Sequence, residues 1–135
     1  MIHLDTSFLV DLLRERAHRE HGPAASFLDS RLDDELRISL PVACELHAGA
    51  ELSANPTREG ARVRELCASL EVVYPDERFP PRYAALLARQ ERRGRRIPTM
   101  DLLIATAALL DESPIVTGNP RHFRAIEGVE VLEYR

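Results

Sequence analysis

The chain has 135 residues, 44% of them hydrophobic and 30% charged, with a formal net charge of −4 at pH 7. That is the length of one ordinary domain with enough apolar residues for one core, and the acidic balance excludes a protein that binds nucleic acid by bulk basicity. No apolar run approaches the ~20 residues that a membrane span needs, and all 18 basic residues are arginine, so mechanisms that require a lysine are excluded as well.

No repeat, low-complexity stretch or linker divides the sequence, so one domain over residues 1–135 is expected. Met1 to Asp5 shows no basic region followed by an apolar stretch, and a cytoplasmic setting is expected. Ile2-His3-Leu4 reads as the first strand. Phe8, Leu9, Leu12 and Leu13 then share one helical face. A polar break from Arg14 to Gly22 precedes Pro23, a residue suited to a first helical turn, and a stripe of Phe27, Leu28 and Leu32. Arg37 to Leu40 reads as the second strand and Pro41 to Leu52 as a helix. After a loop at Asn55-Pro56, a further helix carries Val63, Leu66, Cys67 and Leu70. Glu71 to Tyr74 is the third predicted strand. A long helix with Phe79, Tyr83, Leu86, Leu87 and Gln90 ends near Gly94, and an apolar helix from Thr99 to Glu112 stops before Pro114. Ile115 to Thr117 and Val129 to Leu132 complete five strands. Cys44 and Cys67 lack CxxC spacing and both fall on predicted helices, so two buried thiols are expected rather than a disulfide.

Strands alternating with helices predict an α/β fold, a parallel sheet with helices on both faces. Such sheets bind ligands beyond the carboxyl ends of their strands, near the point where strand order reverses. Three acidic residues fall at those ends. Asp5 directly follows the first strand, where a helix N-cap is the alternative role. Glu45 lies one turn into the helix after the second strand, on a face with Pro41, Ala48, Gly49 and Leu52; the alternative is a salt bridge to a nearby arginine. Asp101 opens a helix, where a carboxylate favoured by the helix dipole is the alternative. Three convergent carboxylates repel one another unless a hard divalent cation joins them, and an oxygen-only set favours Mg²⁺, with Mn²⁺ able to substitute, over zinc. His18 and His21 lie in a polar stretch without a nearby cysteine and read as solvated.

Taken together, these segments resemble the PIN-domain family and, within it, the VapC-like toxins. Ile2-His3-Leu4-Asp5-Thr6-Ser7-Phe8-Leu9-Val10-Asp11 is similar to the family's first acidic motif, and Val42-Ala43-Cys44-Glu45-Leu46 to its second. Ile97-Pro98-Thr99-Met100-Asp101-Leu102-Leu103 resembles the third motif, and Val116-Thr117-Gly118-Asn119-Pro120-Arg121-His122-Phe123 the fourth, over the whole chain and in order. The resemblance implies a three-layer α/β/α fold with a five-stranded parallel sheet, first and fourth strands adjacent. It also implies metal-dependent hydrolysis of RNA, a homodimer, and a small antitoxin that occludes the site. The fourth motif departs from the family pattern, with Asn119 where an acidic residue is common. An amide oxygen can orient a cation's water shell, but it brings no charge.

The resulting expectation is a Mg²⁺-dependent endoribonuclease whose Asp5, Glu45 and Asp101 are both catalytic residues and metal ligands. Thr6, Ser7, Thr117 and Asn119 would orient the carboxylates or bound waters. Arg92, Arg93, Arg95 and Arg96, together with Arg89, form a basic run toward Asp101 that would track the RNA backbone; a solvated helix end is the alternative. The missing lysine excludes phosphorelay receivers, haloacid-dehalogenase-like phosphatases and P-loop nucleotide binders. A catalytically silent PIN-like module that binds RNA or protein is the remaining rival.

Overall fold

The short apolar strand β1 (Ile2–Leu4) is buried throughout, and it organises the sheet. The computed structural model describes residues 1–135. In it, β1 is followed by α1 (Thr6–Ala17), α2 (Pro23–Asp29), β2 (Leu36–Ser39), α3 (Leu40–Glu51), α4 (Pro56–Ser69) and β3 (Glu71–Val73). The second half adds α5 (Phe79–Arg92), α6 (Thr99–Leu110), β4 (Ile115–Val116), α7 (Pro120–Arg124) and β5 (Val131–Leu132). The strands form one sheet in the order β3-β2-β1-β4-β5, all parallel and flanked by helices. His3 pairs with Arg37 on one side and with Ile115 on the other. Strand order reverses between β1 and β4, and this is where a doubly wound sheet opens a crevice at its carboxyl edge. Asp5 continues the ladder by one bond, its N–H donating to the Val116 carbonyl at 3.0 Å.

The core is built from Phe8, Leu9 and Leu12 of α1, Ile38, Val42 and Leu46, the apolar face of α6, and Phe123 and Ile126 near the carboxyl end. Each large side chain removed from water here contributes about 1.5–3 kcal/mol. Phe8 packs edge-on against both Phe27 and Tyr134, joining α1 to α2 and to the last residues of the chain.

Several expectations are corrected. The first helix does not break at Arg14 but runs to Ala17. The reason is Glu15, which is buried and accepts hydrogen bonds from the backbone N–H groups of Gly22, Ala24 and Ala25 at 2.8–3.0 Å. It thus caps the otherwise unsatisfied amino end of α2 from a distance. Burial opposes ionisation of Glu15, but these three donors outweigh it and hold its carboxyl below the usual range. Leu32 is 82% exposed, because α2 ends at Asp29 and the following residues turn away from the core. Leu40 belongs to α3 rather than to β2, since Pro41 sits in a first helical turn and forces an early start. Residues 129 and 130 precede β5. Cys44 is exposed on α3 and only Cys67 is partly covered, so the pair of buried thiols is not found. The five-residue α7 was not foreseen at all. Pro120 fills its first turn and Phe123 anchors it in the core.

Candidate active site

The carboxyl edge of the sheet carries a hydroxyl-lined acidic centre. Asp5 stands where a helix cap would be, with extended backbone (φ −78°, ψ 157°), yet its side chain caps nothing. Its carboxylate, 5% exposed, instead accepts hydrogen bonds at Oδ2 from Ser7 Oγ at 2.8 Å and Thr117 Oγ1 at 2.7 Å. Thr117 is delivered by β4 and Ser7 by the first turn of α1, so the adjacency of β1 and β4 assembles this contact. The backbone N–H of Gly118 donates to Ser7 Oγ at 2.9 Å and that of Asn119 to Thr117 Oγ1 at 2.9 Å, locking the turn after β4 onto the start of α1.

Glu45 and Asp101 follow the same pattern. Thr6 Oγ1 donates to Glu45 Oε1 at 2.6 Å. The arginine alternative for Glu45 is not realised, since nearby Arg14 pairs with Asp11, and Arg58 and Arg62 pair with Glu59. The face that Glu45 shares with Ala48, Gly49 and Leu52 is not core but open surface. It borders a groove of about 630 Å³ whose apolar lining includes Val10, Leu13, Leu46 and Val63. Asp101, in the first turn of α6, has its Oδ2 2.7 Å from His122 Nδ1 on α7. That ring N–H donates to the carboxylate. Burial pushes the Asp101 carboxyl above the usual range, His122 opposes the shift, and the nearby charge of Asp5 adds to it.

A common design follows from these contacts. Each of the three carboxylates has one oxygen engaged by a neighbouring donor, and none has a protein donor on the other. Neighbouring donors that fix one carboxylate oxygen and leave its twin free are the arrangement that orients ligands for a hard cation. The donor set therefore fits Mg²⁺ or Mn²⁺. In this structure no three His, Cys, Asp or Glu side chains are grouped closely enough to hold a metal ion. The mutual repulsion of Asp5 and Asp101 is the feature that a cation would relieve.

Of the residues expected to orient the carboxylates, Thr6, Ser7 and Thr117 touch them directly. Asn119 does not. It is exposed, and its side-chain nitrogen lies 3.3 Å from His122 Nδ1. His122 was missed by sequence reasoning, although its place three residues after Asn119 puts both on one turn of α7. The basic run divides. Arg89 and Arg93 both pair with Glu127, at 2.8 and 2.9 Å, whereas Arg92, Arg95 and Arg96 are exposed and unpaired.

The sheet order and its flanking helices define a class of doubly wound parallel α/β domain, and comparison with known proteins makes it specific. The chain belongs to the PIN domain family, whose model matches residues 2–129. Ribonuclease VapC1 of Methanocaldococcus jannaschii is 28% identical over 125 residues, covering 92% of this chain and 79% of that relative. Ribonuclease VapC1 of Haemophilus influenzae is 27% identical over 127 residues, covering 94% and 92%. Among solved structures, the DNA-bound VapBC complex of Salmonella typhimurium contains a chain with a TM-score of 0.89 at 25% identity, with 99% of this chain and 98% of that one covered. VapBC2 of Rickettsia felis, bound to a promoter DNA fragment, gives the same TM-score at 23% identity with both chains fully covered, a likeness of fold. No helix is long and apolar enough to cross a membrane.

Proposed function

We propose that this chain is a divalent-metal-dependent endoribonuclease and the toxin half of a VapBC-type toxin–antitoxin pair. The observation that carries the reading is that Asp5, Glu45 and Asp101 each have one oxygen held by a neighbour and one left free, at the edge where strand order reverses. The relatives that match over 92% and 94% of this chain are ribonucleases by name, and solved chains of the same fold belong to VapBC assemblies, a family of toxin–antitoxin systems.

Asp5, Glu45 and Asp101 would hold the cation, with Thr6, Ser7, Thr117 and His122 fixing the carboxylates from behind. When bound, Mg²⁺ supplies Lewis acidity toward the phosphate oxygens and lowers the pKa of water. The chain's own part is to exclude competing donors, to hold three carboxylates against their repulsion and to align the RNA. Arg92, Arg95 and Arg96, free of acidic partners, would grip the backbone phosphates. The apolar groove beside Glu45 is where a small antitoxin would approach the acidic edge and cover it. The homodimer and the cytoplasmic setting belong to the same reading.

The test is cleavage of single-stranded and structured RNA by the purified chain in Mg²⁺ or in EDTA. Asp5→Asn, Glu45→Gln and Asp101→Asn are the controls. Cleavage in Mg²⁺ alone, lost in all three variants, is the expected result. RNA binding without cleavage in any divalent metal would favour the silent binding module, for which the neutral Asn119 is the one supporting feature.

A further inference from the structure

A second polar cluster lies behind the acidic centre, and the catalytic reading leaves it unused. Asp11 on α1 is a carboxylate whose side chain is 10% exposed and which accepts three hydrogen bonds, one from each of three residues. Arg14 Nη2 donates to Oδ1 at 2.6 Å, while Tyr134 Oη and Arg135 Nη1 donate to Oδ2 at 2.5 and 2.9 Å. The same Arg135 reaches on with Nη2 to the carbonyl of Gly118 at 3.2 Å. The Tyr134 ring is meanwhile pinned edge-on against Phe8, with centroids 4.8 Å apart.

The contact with Gly118 is close enough that any side chain there would displace the strap. A Cβ at this position would lie 2.6 Å from Arg135 Nη2 and 2.8 Å from Tyr134 Oη. The carbonyl of Gly118 thus faces the Tyr134-Arg135 strap, while its N–H faces Ser7 Oγ, the hydroxyl that donates to Asp5. One peptide turn is held between the strap on one side and the carboxylate's own donor on the other.

We propose that Tyr134 and Arg135, anchored on Asp11, are positioning residues that hold the Thr117-Gly118 turn against Ser7 and so fix Asp5 in its working orientation. Its catalytic consequence rests on the ribonuclease reading; the mechanical part does not. The chemistry is hydrogen bonding alone. The charged Asp11 fixes two flexible donors in place, and the second arm of the guanidinium bridges to the turn, a geometry that a lysine ammonium cannot reproduce.

Tyr134→Phe keeps the ring on Phe8 and removes only the hydroxyl, and Arg135→Gln removes the bridge. Gly118→Ala displaces the strap from the other side, at little cost to the core because the clashing atoms are the ends of long side chains. Each purified variant is compared with wild type in RNA cleavage and in amide exchange by NMR. The expected result is a fall in kcat of about tenfold or more with KM nearly unchanged, as for other residues that orient ligands from behind. Exchange at the Gly118 amide should quicken by about tenfold while the Asp5 amide, bonded to Val116 in the sheet, stays protected. Combining Tyr134→Phe with Gly118→Ala should add little to either alone, since both loosen the same strap. Arg135→Lys should recover the Asp11 contact without recovering kcat. Unchanged Gly118 exchange in all three variants, or a kcat loss that only follows a falling melting temperature, would overturn the proposal. If wild type itself cleaves no RNA, the ribonuclease reading falls and the exchange arm alone decides whether the strap holds the turn.

Discussion

Thr117 Oγ1 lies 2.7 Å from Asp5 Oδ2, although 112 positions separate the two residues in the chain. The contact exists because β4 inserts beside β1, and it converts a residue at a helix-cap position into a held carboxylate. Thr117→Val keeps the shape and removes the hydroxyl. A hydrogen bond to a charged group is worth about 1.5–3 kcal/mol, so the unfolding free energy should fall by the lower end of that range. Cleavage should fall about tenfold. Thermal denaturation and initial rates on the same preparation check both.

Asn119 does not touch the carboxylates, so its replacement should be mild. Asn119→Ala is expected to weaken activity only partly. Asn119→Asp should keep or raise activity at low Mg²⁺, since an added charge favours the cation. A rate titration against Mg²⁺ for the three proteins measures this. An Asn119→Ala protein as inactive as Asp5→Asn would make the amide a primary catalytic group.

The basic run can be dissected by salt. Arg92, Arg95 and Arg96 have no acidic partner, whereas Arg93 is held by Glu127. Replacing the three free arginines by Gln should flatten the log–log salt dependence of RNA binding by about 0.7 per lost phosphate contact. Arg93→Gln should change the slope less. Neither change should move the melting temperature much, because exposed charges contribute little. An unchanged slope in the triple variant would leave the run as a solvated helix end.

Glu15 makes stability depend on acid. Its folded carboxyl is held below the usual range by the N–H groups of Gly22, Ala24 and Ala25, against the opposing effect of burial. The stabilisation is therefore complete above the unfolded-state carboxyl range and is lost as pH falls through the lower folded value. Glu15→Gln should destabilise at pH 7 by about 1–2 kcal/mol, and the gap to wild type should close as the solution is acidified toward pH ~3. Urea denaturation at the two pH values checks it. A gap that stays constant would detach this cap from its charge.

Much of the fold was legible because apolar, β-branched runs and 3.6-residue stripes mark its strands and longer helices directly. What escaped was decided by distant contacts. Glu15 looks like a solvated helix residue until the start of α2 is folded back onto it, so the end of α1 was placed too early. Leu32 fits a helical stripe that the chain abandons at Asp29. The three carboxylates stand out by their positions after strands, whereas the sequence does not show that the face Glu45 shares with Ala48, Gly49 and Leu52 lies on open surface beside a groove. Asp11 and His122 lie within the first and fourth family-like segments, but nothing local shows which partners they take. Their partners lie 21 positions away for His122, and 123 and 124 away for Asp11, and only the tertiary fold brings them together.

The central claim is that Asp5 and Asp101 repel each other until a divalent cation joins them, and melting with and without metal tests it most directly. Mg²⁺ at ~100 times its dissociation constant should stabilise wild type by ~2.7 kcal/mol, raising the melting temperature by ~4 °C or more. Asp101→Asn removes a half-buried charge that desolvation and, to a lesser degree, Asp5 disfavour, so it should melt higher than wild type in EDTA and hardly respond to added Mg²⁺. If Asp101→Asn instead melts lower than wild type in EDTA and keeps the full Mg²⁺ response, Asp101 is a helix-terminus carboxylate and not a metal ligand, and the account of this site is contradicted.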